Sequence, residues 1–340
     1  RSGGTFLFAA HMRNEDDRLL AAIEEILTVG RRAGVPVHLS HLKAQGRRNW
    51  WKAEIALQMV DAAAAEGVDV TFDRYPYVAY ATGLTSLFPA WSREGGTGRL
   101  LERLADPDQG PRVRALVRAK VSLLGDWDAV QITSAGATPW AVGRRLGGLA
   151  AERGEDPLDL TVRLLEENGG VGMVGFGMSE ENTARFLVHD RAMVASDGGA
   201  FAPYGPLSGS SPHPRGYGTF PRLLARYVRE RGDLGLADAI RKCTSLPAAR
   251  VGLSRDASGA YERRGYAAPG CMADLVAFDP GAVADGATFD DPHRYPTGIP
   301  HVVVNGVLTL RDGEHTGQLG GRGLRGGGYP GGSPRGGGEG

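Results

Sequence analysis

The sequence predicts an α/β fold built on a parallel β-sheet. Apolar stretches with strand character end just before His11, just before His41 and near Asp73, at intervals of 30 and 32 residues. An amphipathic stretch of helical length separates each strand from the next, which is the pattern of β/α units in a parallel sheet. We expect the crossovers between the strands to be right-handed.

The first repeat begins with an apolar strand over residues 5–10 and continues into an amphipathic helix. Asn14 or Asp16 can cap this helix, and Gly34 ends it. The apolar positions of the helix fall on one face, as a helix packed on a sheet requires: Leu19, Leu20, Ile23, Ile26 and Leu27.

The second repeat has the same organisation. An apolar strand over residues 35–39 leads to His41, and a loop over residues 43–48 leads to a second helix, which Gly67 ends. Residues 68–73 then form the third predicted strand. The residues of the second helix that we expect to face inward are Ile55, Ala56, Met59, Val60, Ala63 and Ala64.

The regular repeat stops after Tyr77, and more than a hundred residues precede the next strand-like stretch, Met193-Val194-Ala195. This interval has the pattern of several short helices, with candidate strands at residues 130–133 and 172–176. One of the predicted helices covers residues 141–153. An insertion over about residues 83–190 that rises from the carboxyl end of a strand is placed to act as a helical lid over a site.

The last part of the chain changes character twice. Helices are predicted over residues 220–231 and 236–242. From Gly265 the pattern is that of a short antiparallel unit, with a hairpin turn at Asn305-Gly306. We therefore expect a main domain over residues 1–264, a small β-rich domain over 265–319 and a disordered Gly-rich tail over 320–340.

The composition excludes several classes of function. Lys plus Arg and Asp plus Glu both number 39, so no charge excess favours nucleic acid or a membrane surface as a partner. Two cysteines, Cys243 and Cys271, are too few for a disulfide framework, and this fits a cytoplasmic protein. The chain starts without Met and enters a strand at once, so we expect it to be part of a longer protein.

Three polar side chains follow predicted strands and suggest a metal site: His11, His41 and Asp197. Taken singly, each histidine could be an ordinary hydrogen-bonded residue. Because the carboxyl ends of parallel strands meet at one edge, their recurrence at strand ends favours a common role. Imidazole and carboxylate ligands suit Zn²⁺, and an aspartate can also act as general acid and base.

Several segments, in the same order along the chain, resemble the D-aminoacylases, which are N-acyl-D-amino-acid deacylases of the metal-dependent amidohydrolase superfamily. The resemblance extends from residue 4 to about residue 325. Its motifs are His11-Met12-Arg13-Asn14-Glu15, His38-Leu39-Ser40-His41-Leu42-Lys43, Asp73-Arg74-Tyr75-Pro76-Tyr77, Met193-Val194-Ala195-Ser196-Asp197-Gly198-Gly199, Ser211-Pro212-His213-Pro214-Arg215, Gly218-Thr219-Phe220-Pro221-Arg222 and Thr244-Ser245-Leu246-Pro247-Ala248-Ala249-Arg250.

The resemblance implies a (β/α)₈ TIM barrel, of which this chain carries strands five to eight, followed by part of a small β-sandwich. It implies hydrolysis of the amide bond of N-acyl-D-amino acids, a small-molecule substrate and a Zn²⁺ cofactor. His11 and His41 match zinc ligands, and Asp197 matches the catalytic aspartate. The positions that match substrate-binding residues are Lys43, Tyr75 and Arg215; without the resemblance, Lys43 and Arg215 could equally be solvated loop charges.

The sequence also departs from the family. The His-x-His of the first barrel strand and the metal-bridging Cys of the second are absent, and Tyr80-Ala81-Thr82 stands where Gly-Ser-Thr is usual. Two other functions stay open: an amidohydrolase of cyclic amides or dipeptides, and a non-catalytic scaffold. We expect these 340 residues alone to be inactive and to be poorly soluble or oligomeric; the oligomeric state of the intact protein is open.

Overall fold

The computed structural model describes residues 7–253 and 263–324. Most of the predicted Gly-rich tail, residues 325–340, lies outside the described residues. The predicted alternation of strands and helices is present at the start of the chain, and a further strand, β7, returns to the same sheet after the long interval. The bounds are β1 Phe8–Ala10, α1 Leu19–Ala33, β2 Val37–Leu39, α2 Lys52–Ala65, β3 Val70–Arg74 and β7 Ala192–Val194.

These four strands form one sheet in the order β1-β2-β3-β7, and all neighbours run parallel. Ala10, Leu39, Phe72 and Ala192 lie side by side across the sheet. The residues that follow β1, β2 and β7 are therefore brought to one edge. The prediction of an α/β fold with a parallel sheet is confirmed.

Helix α1 shows why the repeat folds as it does. Its apolar positions are buried, and it ends where Gly34 adopts a left-handed conformation (φ 62°) and donates its N–H to the Gly30 carbonyl at 2.9 Å. At the other end, the side chain of Asn14 accepts the backbone N–H of Arg18 at 2.8 Å. The core between helices and sheet includes Leu19, Ile23, Leu27, Val37, Leu39, Val60, Phe72 and Phe186.

The long interval between β3 and β7 contains the two strands predicted at residues 130–133 and 172–176, and a third strand that was not predicted. Strands β4 (Ala79–Gly83), β6 (Gly172–Phe176) and β5 (Val130–Ser134) form a separate antiparallel sheet with β6 in the middle. Gly175 in β6 leaves room for the ring of Tyr80 in β4, since a Cβ at position 175 would lie 2.5 Å from the ring carbon Cζ. This glycine weakens the strand pattern in the sequence.

Helices pack against this second sheet and form the largest described apolar cluster. The helix predicted over residues 141–153 begins later, at Leu146, because Gly143 has a φ of 80° and residues Pro139–Ala141 form a separate 3₁₀ turn. The helices of the interval are α3 Ala90–Arg93, α4 Thr97–Ala105, α5 Gln109–Leu124, α6 Leu146–Arg153, α7 Pro157–Asn168 and α8 Glu180–Val188.

The helical segment after β7 starts earlier than predicted. The chain is irregular from Ala195 to Pro214 apart from a 3₁₀ turn, and the helix then begins at Arg215 rather than at Phe220. It includes Pro221, which donates no backbone hydrogen bond, and widens into a π-helix directly afterwards. The elements are α9 Arg215–Arg222, the π-helix Leu223–Glu230, α10 Leu236–Cys243 and α11 Ser245–Arg250.

The last four strands form an antiparallel sheet in the order β11-β10-β9-β8. Asn305 (φ 50°) and Gly306 (φ 82°) make the turn between β9 and β10, which confirms the predicted hairpin. The bounds are β8 Leu275–Ala277, β9 His301–Val304, β10 Val307–Arg311 and β11 Glu314–His315. Within the described ranges, no helix has both the length and the apolar character needed to span a bilayer.

Candidate active site

The two histidines that follow β1 and β2 meet at the carboxyl edge of the parallel sheet. Nδ1 of His11 and Nε2 of His41 are in direct contact, and the ring centroids are 4.5 Å apart. The structure thus brings together two imidazoles that follow neighbouring strands, as the sequence predicts. Imidazole nitrogens are common metal ligands, so both side chains have the chemistry to bind an ion.

His41 is held in a conformation that costs free energy. Its φ is 41°, and Asp197 has a φ of 46°; both lie in the left-handed region, which costs a non-glycine residue about 1–3 kcal/mol. Asp73 fixes the strained backbone, because its Oδ1 accepts the N–H of His41 at 2.8 Å. Its Oδ2 contacts Nε2 of His38 at 2.8 Å, and Nδ1 of His38 contacts Oγ1 of Thr71 at 2.7 Å.

Lys43 is almost completely buried and all its donors have partners in the protein. Its Nζ lies 2.6 Å from Oε1 of Glu15, 2.6 Å from Nδ1 of His41 and 2.9 Å from the His41 carbonyl oxygen. Burial raises the pKa of the Glu15 carboxyl, but Lys43 and His41 lower it more, and the resulting pKa is about 2. Glu15 is therefore a largely buried anion beside His41.

Asp197 and Arg215 form an ion pair next to Tyr75. Oδ2 of Asp197 lies 2.9 Å from NH2 of Arg215. The guanidinium carbon of Arg215 lies 4.7 Å from the centroid of the Tyr75 ring. NH1 of Arg215 and the hydroxyl of Tyr75 are buried, and neither makes a hydrogen bond within the described part of the chain. These two groups have unused capacity to bind an oxygen-rich ligand.

His213 holds the backbone of Arg215 in place through a hydrogen bond. Its Nε2–H donates to the carbonyl of Ala79 at 2.9 Å, and its Nδ1 accepts the backbone N–H of Arg215 at 3.0 Å. Burial, and then the positive charge of Arg215, lower the pKa of His213 well below its usual value. A neutral imidazole is therefore part of the scaffold that positions Arg215 at the start of α9.

Two cavities meet at Asp197. The larger, of about 760 Å³, is lined by His11, His41, Lys43 and Tyr75 on the side of the parallel sheet. Its opposite wall comes from the insertion and is mostly apolar, with Leu87, Phe88, Pro89, Leu116 and Leu123. The smaller, of about 350 Å³, is lined by Arg215 and His213 and by four hydroxyl-bearing residues, Thr82, Thr133, Ser134 and Ser210.

The predicted site residues therefore share one region but divide into two groups. The two imidazoles and Lys43 form one hydrogen-bonded group, whereas Asp197 is paired with Arg215. Across residues 7–253 and 263–324, no three His, Cys, Asp or Glu side chains are arranged to hold a metal ion. The two imidazoles can supply two of the ligands of a zinc ion, whereas the carboxylate of Asp197 contacts the guanidinium of Arg215.

Three polar residues of this region were not singled out by the sequence: Glu15, His38 and Asp73. Each lies in a segment that carries the family resemblance, but none follows a strand directly in the manner of His11. Asp73 could have been found from the sequence, because it lies at the end of the third predicted strand, just as His11 and His41 lie after the first two. The contacts of Glu15 depend on the path of the loop after β1, which no local pattern specifies.

Comparison with known proteins first gives a family match for part of the chain. Residues 193–310 match the sequence model of the Amidohydrolase family. The matched segment begins in β7, contains Asp197 and Arg215, and ends in the C-terminal sheet.

The relatives then identify the particular enzymes that this chain resembles. It is 35% identical over 316 residues to a D-aminoacylase of Alcaligenes xylosoxydans xylosoxydans, covering 93% of this chain and 54% of the relative. It is also 35% identical over 304 residues to an N-acyl-D-glutamate deacylase of the same organism, covering 89% and 51%. Homologues of this chain are thus D-aminoacylases and N-acyl-D-amino-acid deacylases, which confirms the predicted resemblance.

Solved structures show the same similarity to deacylases. A crystal structure of D-aminoacylase superposes with a TM-score of 0.71 at 35% identity, covering 94% of this chain and 56% of that one. An N-acyl-D-glutamate deacylase of Bordetella bronchiseptica, complexed with zinc and a phosphonate that mimics the tetrahedral intermediate, superposes with a TM-score of 0.69 at 33% identity, covering 90% and 53%. The chain spans about half the length of the relatives that it matches.

Proposed function

We propose that the complete protein containing this chain hydrolyses the amide bond of N-acyl-D-amino acids and releases a carboxylate and a free D-amino acid. The observation that carries this proposal is the meeting of His11 and His41 in the cavity that Asp197, Lys43 and Tyr75 also line. The named activities of the homologues give the substrate class. The chain's own residues give the chemistry.

We assign the metal position to Zn²⁺, with His11 and His41 as two of its ligands. Neutral imidazole nitrogens are common zinc ligands, and the binding of one homologue to zinc supports the choice. When bound, zinc acts as a Lewis acid that lowers the pKa of water and polarises an acyl carbonyl. Among the residues that the structure describes, no third His, Cys, Asp or Glu side chain is arranged to complete the site.

Asp197 is the general acid and base of the proposed reaction. Its carboxylate takes the proton of the attacking water and gives it to the leaving nitrogen as the amide bond breaks. Arg215 keeps this carboxylate oriented through their ion pair. Arg215, Tyr75 and Lys43 also bind the carboxylate of the substrate. NH1 of Arg215 and the hydroxyl of Tyr75 are available donors, whereas Lys43, whose donors are paired within the protein, contributes its positive charge.

We also propose that this chain is part of a complete barrel. The sheet β1-β2-β3-β7 is interpreted as strands five to eight of a (β/α)₈ barrel within residues 1–264, and β8 to β11 as part of a small β-sandwich over residues 265–319. The insertion over about residues 83–190 is interpreted as the lid, because Phe88 and Leu116 form a wall of the larger cavity. A cytoplasmic location remains a prediction from the low cysteine content.

The test uses the complete protein and measures zinc content together with substrate range. We expect bound zinc by elemental analysis, release of free D-amino acid from N-acetyl-D-amino acids, and little release from the L-enantiomers. The 340-residue chain alone is the second sample, and we expect it to be inactive because two imidazoles do not complete a zinc site.

The other outcomes separate the competing functions. Hydrolysis of hydantoins or dihydropyrimidines without hydrolysis of N-acetyl-D-amino acids would assign the protein to the amidohydrolases of cyclic amides. A complete protein that binds no zinc and hydrolyses neither class would be a non-catalytic scaffold. Either result would refute the proposed deacylase activity.

A further inference from the structure

We infer that Glu15 is a positioning residue that holds the proposed zinc ligand His41 and the proposed substrate-binding residue Lys43 in one hydrogen-bonded unit. The inference rests on the proposed function, because both of those roles come from it. Glu15 lies in the loop between β1 and α1 and faces the larger cavity.

Both carboxylate oxygens of Glu15 have defined partners. Oε1 lies 2.9 Å from Nδ1 of His41 and 2.6 Å from Nζ of Lys43. Oε2 accepts the side-chain amide of Gln45 at 2.6 Å, and the backbone N–H of Gln45 donates to the Glu15 carbonyl at 2.8 Å. With its side chain only 15% exposed, the carboxylate is fixed by three side chains and has little freedom to leave them.

Glu15 contacts Nδ1 of His41, the ring nitrogen opposite the one that contacts His11. An imidazole that binds a metal through Nε2 keeps its proton on Nδ1, and a carboxylate is a common acceptor for that N–H. Nε2 is the atom of His41 that faces His11. Glu15 is therefore placed to accept an N–H from Nδ1 when Nε2 of His41 binds a metal ion.

Glu15 also fixes the position of Lys43. The ammonium group has three N–H donors, and their three acceptors are Glu15, the His41 carbonyl and Nδ1 of His41. Glu15 and His41 together surround the ammonium group of Lys43, and they hold it at the wall of the larger cavity. Glu15 thus links the proposed metal ligand His41 to a residue that we propose binds the substrate carboxylate.

The test compares two variants of the complete protein, Glu15→Gln and Glu25→Gln. Glutamine preserves the size of Glu15 but removes the charge and replaces one acceptor oxygen by a donor. Glu25 is the matched control because it lies on the neighbouring helix α1, pairs with Arg13 and is 48% exposed.

We expect zinc affinity, measured by competition with a chromophoric chelator, to fall about 10–100-fold in Glu15→Gln and to be unchanged in Glu25→Gln. At saturating zinc, KM for an N-acetyl-D-amino acid should also rise in Glu15→Gln. An ion pair with only a structural role would lower the unfolding temperature and leave the zinc affinity of the folded protein at the wild-type value.

Wild-type zinc affinity and KM in a folded Glu15→Gln protein would overturn the inference. If Glu15→Gln does not fold, Glu15→Asp takes its place, since it keeps the charge but withdraws the carboxylate from His41. Weakened zinc binding in that variant supports the inference, and wild-type binding overturns it. A wild-type protein without zinc and without deacylase activity would instead refute the proposed function, so the two failures are distinguishable.

Discussion

The carboxyl edge of the parallel sheet and the interior of the insertion differ in the kind of side chain that they bury. The edge buries charge, with Lys43 and Arg215 each less than 10% exposed, and it holds His41 and Asp197 at positive φ. The insertion buries an apolar cluster of residues from β4 to β6, and within it only glycines have positive φ.

This difference predicts which substitutions should reduce activity and which should reduce stability. Strained backbone and buried charge persist only where the surrounding structure holds them, and they occur at functional sites. Apolar burial has the opposite character, because it contributes stability without chemistry. Substitutions at the edge should therefore reduce activity more than stability, and substitutions inside the insertion should do the reverse.

The largest effect on activity is expected for Asp197→Asn at the edge. Asparagine has the same shape and tolerates the left-handed conformation of Asp197, but it cannot accept and return a proton. We expect kcat/KM for an N-acetyl-D-amino acid to fall by about 10²–10⁴-fold, with zinc content near that of the wild type. Turnover equal to that of the wild type in the zinc-loaded variant would exclude Asp197 as the general base.

The corresponding substitution in the insertion is Leu164→Ala in helix α7. Leu164 is completely buried in the apolar cluster, and such a truncation costs about 2–5 kcal/mol of unfolding free energy. Chemical denaturation followed by circular dichroism measures the loss, and turnover per folded molecule should stay at the wild-type value.

Leu116→Ala is the control for this prediction. Leu116 lies on helix α5 of the same insertion but is 41% exposed, so its truncation should change the unfolding free energy by no more than about 0.5 kcal/mol. Equal losses in the two variants would contradict the conclusion that burial in the apolar cluster is what makes Leu164 stabilising.

The edge was the more predictable of the two regions. Each β/α unit is defined by local signals, such as the apolar face of α1 and its terminating Gly34, and the sequence places His11 and His41 directly by strand ends. The repeat alone predicts that these two side chains approach each other. It does not predict that Asp197 pairs with Arg215, because the irregular chain from Ala195 to Pro214 determines that contact.

The sequence predicts two strands of the insertion sheet, β5 and β6, but not β4 or how the three strands pair. The strands of this sheet pair across long separations, with Ala79 opposite Phe176 and Val130 opposite Gly175. No local signal specifies such partners, and Gly172 and Gly175 make β6 a weak strand by propensity. The contacts of Glu15 were missed for the related reason that they depend on a loop folding back over the edge.

His213 joins the two regions, and its removal should have the smallest effect. It donates to Ala79 in the insertion sheet and accepts from Arg215 at the edge, and burial lowers its pKa well below the usual value. The unfolded chain takes up a proton below about pH 6.5 that the folded protein does not, so the stabilisation is complete above that pH and decreases as the pH falls. His213 contributes at most about 1.4 kcal/mol per pH unit to the slope of unfolding free energy against pH. This slope should be smaller in His213→Gln, whose amide can still donate to Ala79.

His315→Gln, on the exposed strand β11, is the control and should keep the wild-type slope. If the slopes of the two variants are equal, His213 is not the source of the pH dependence.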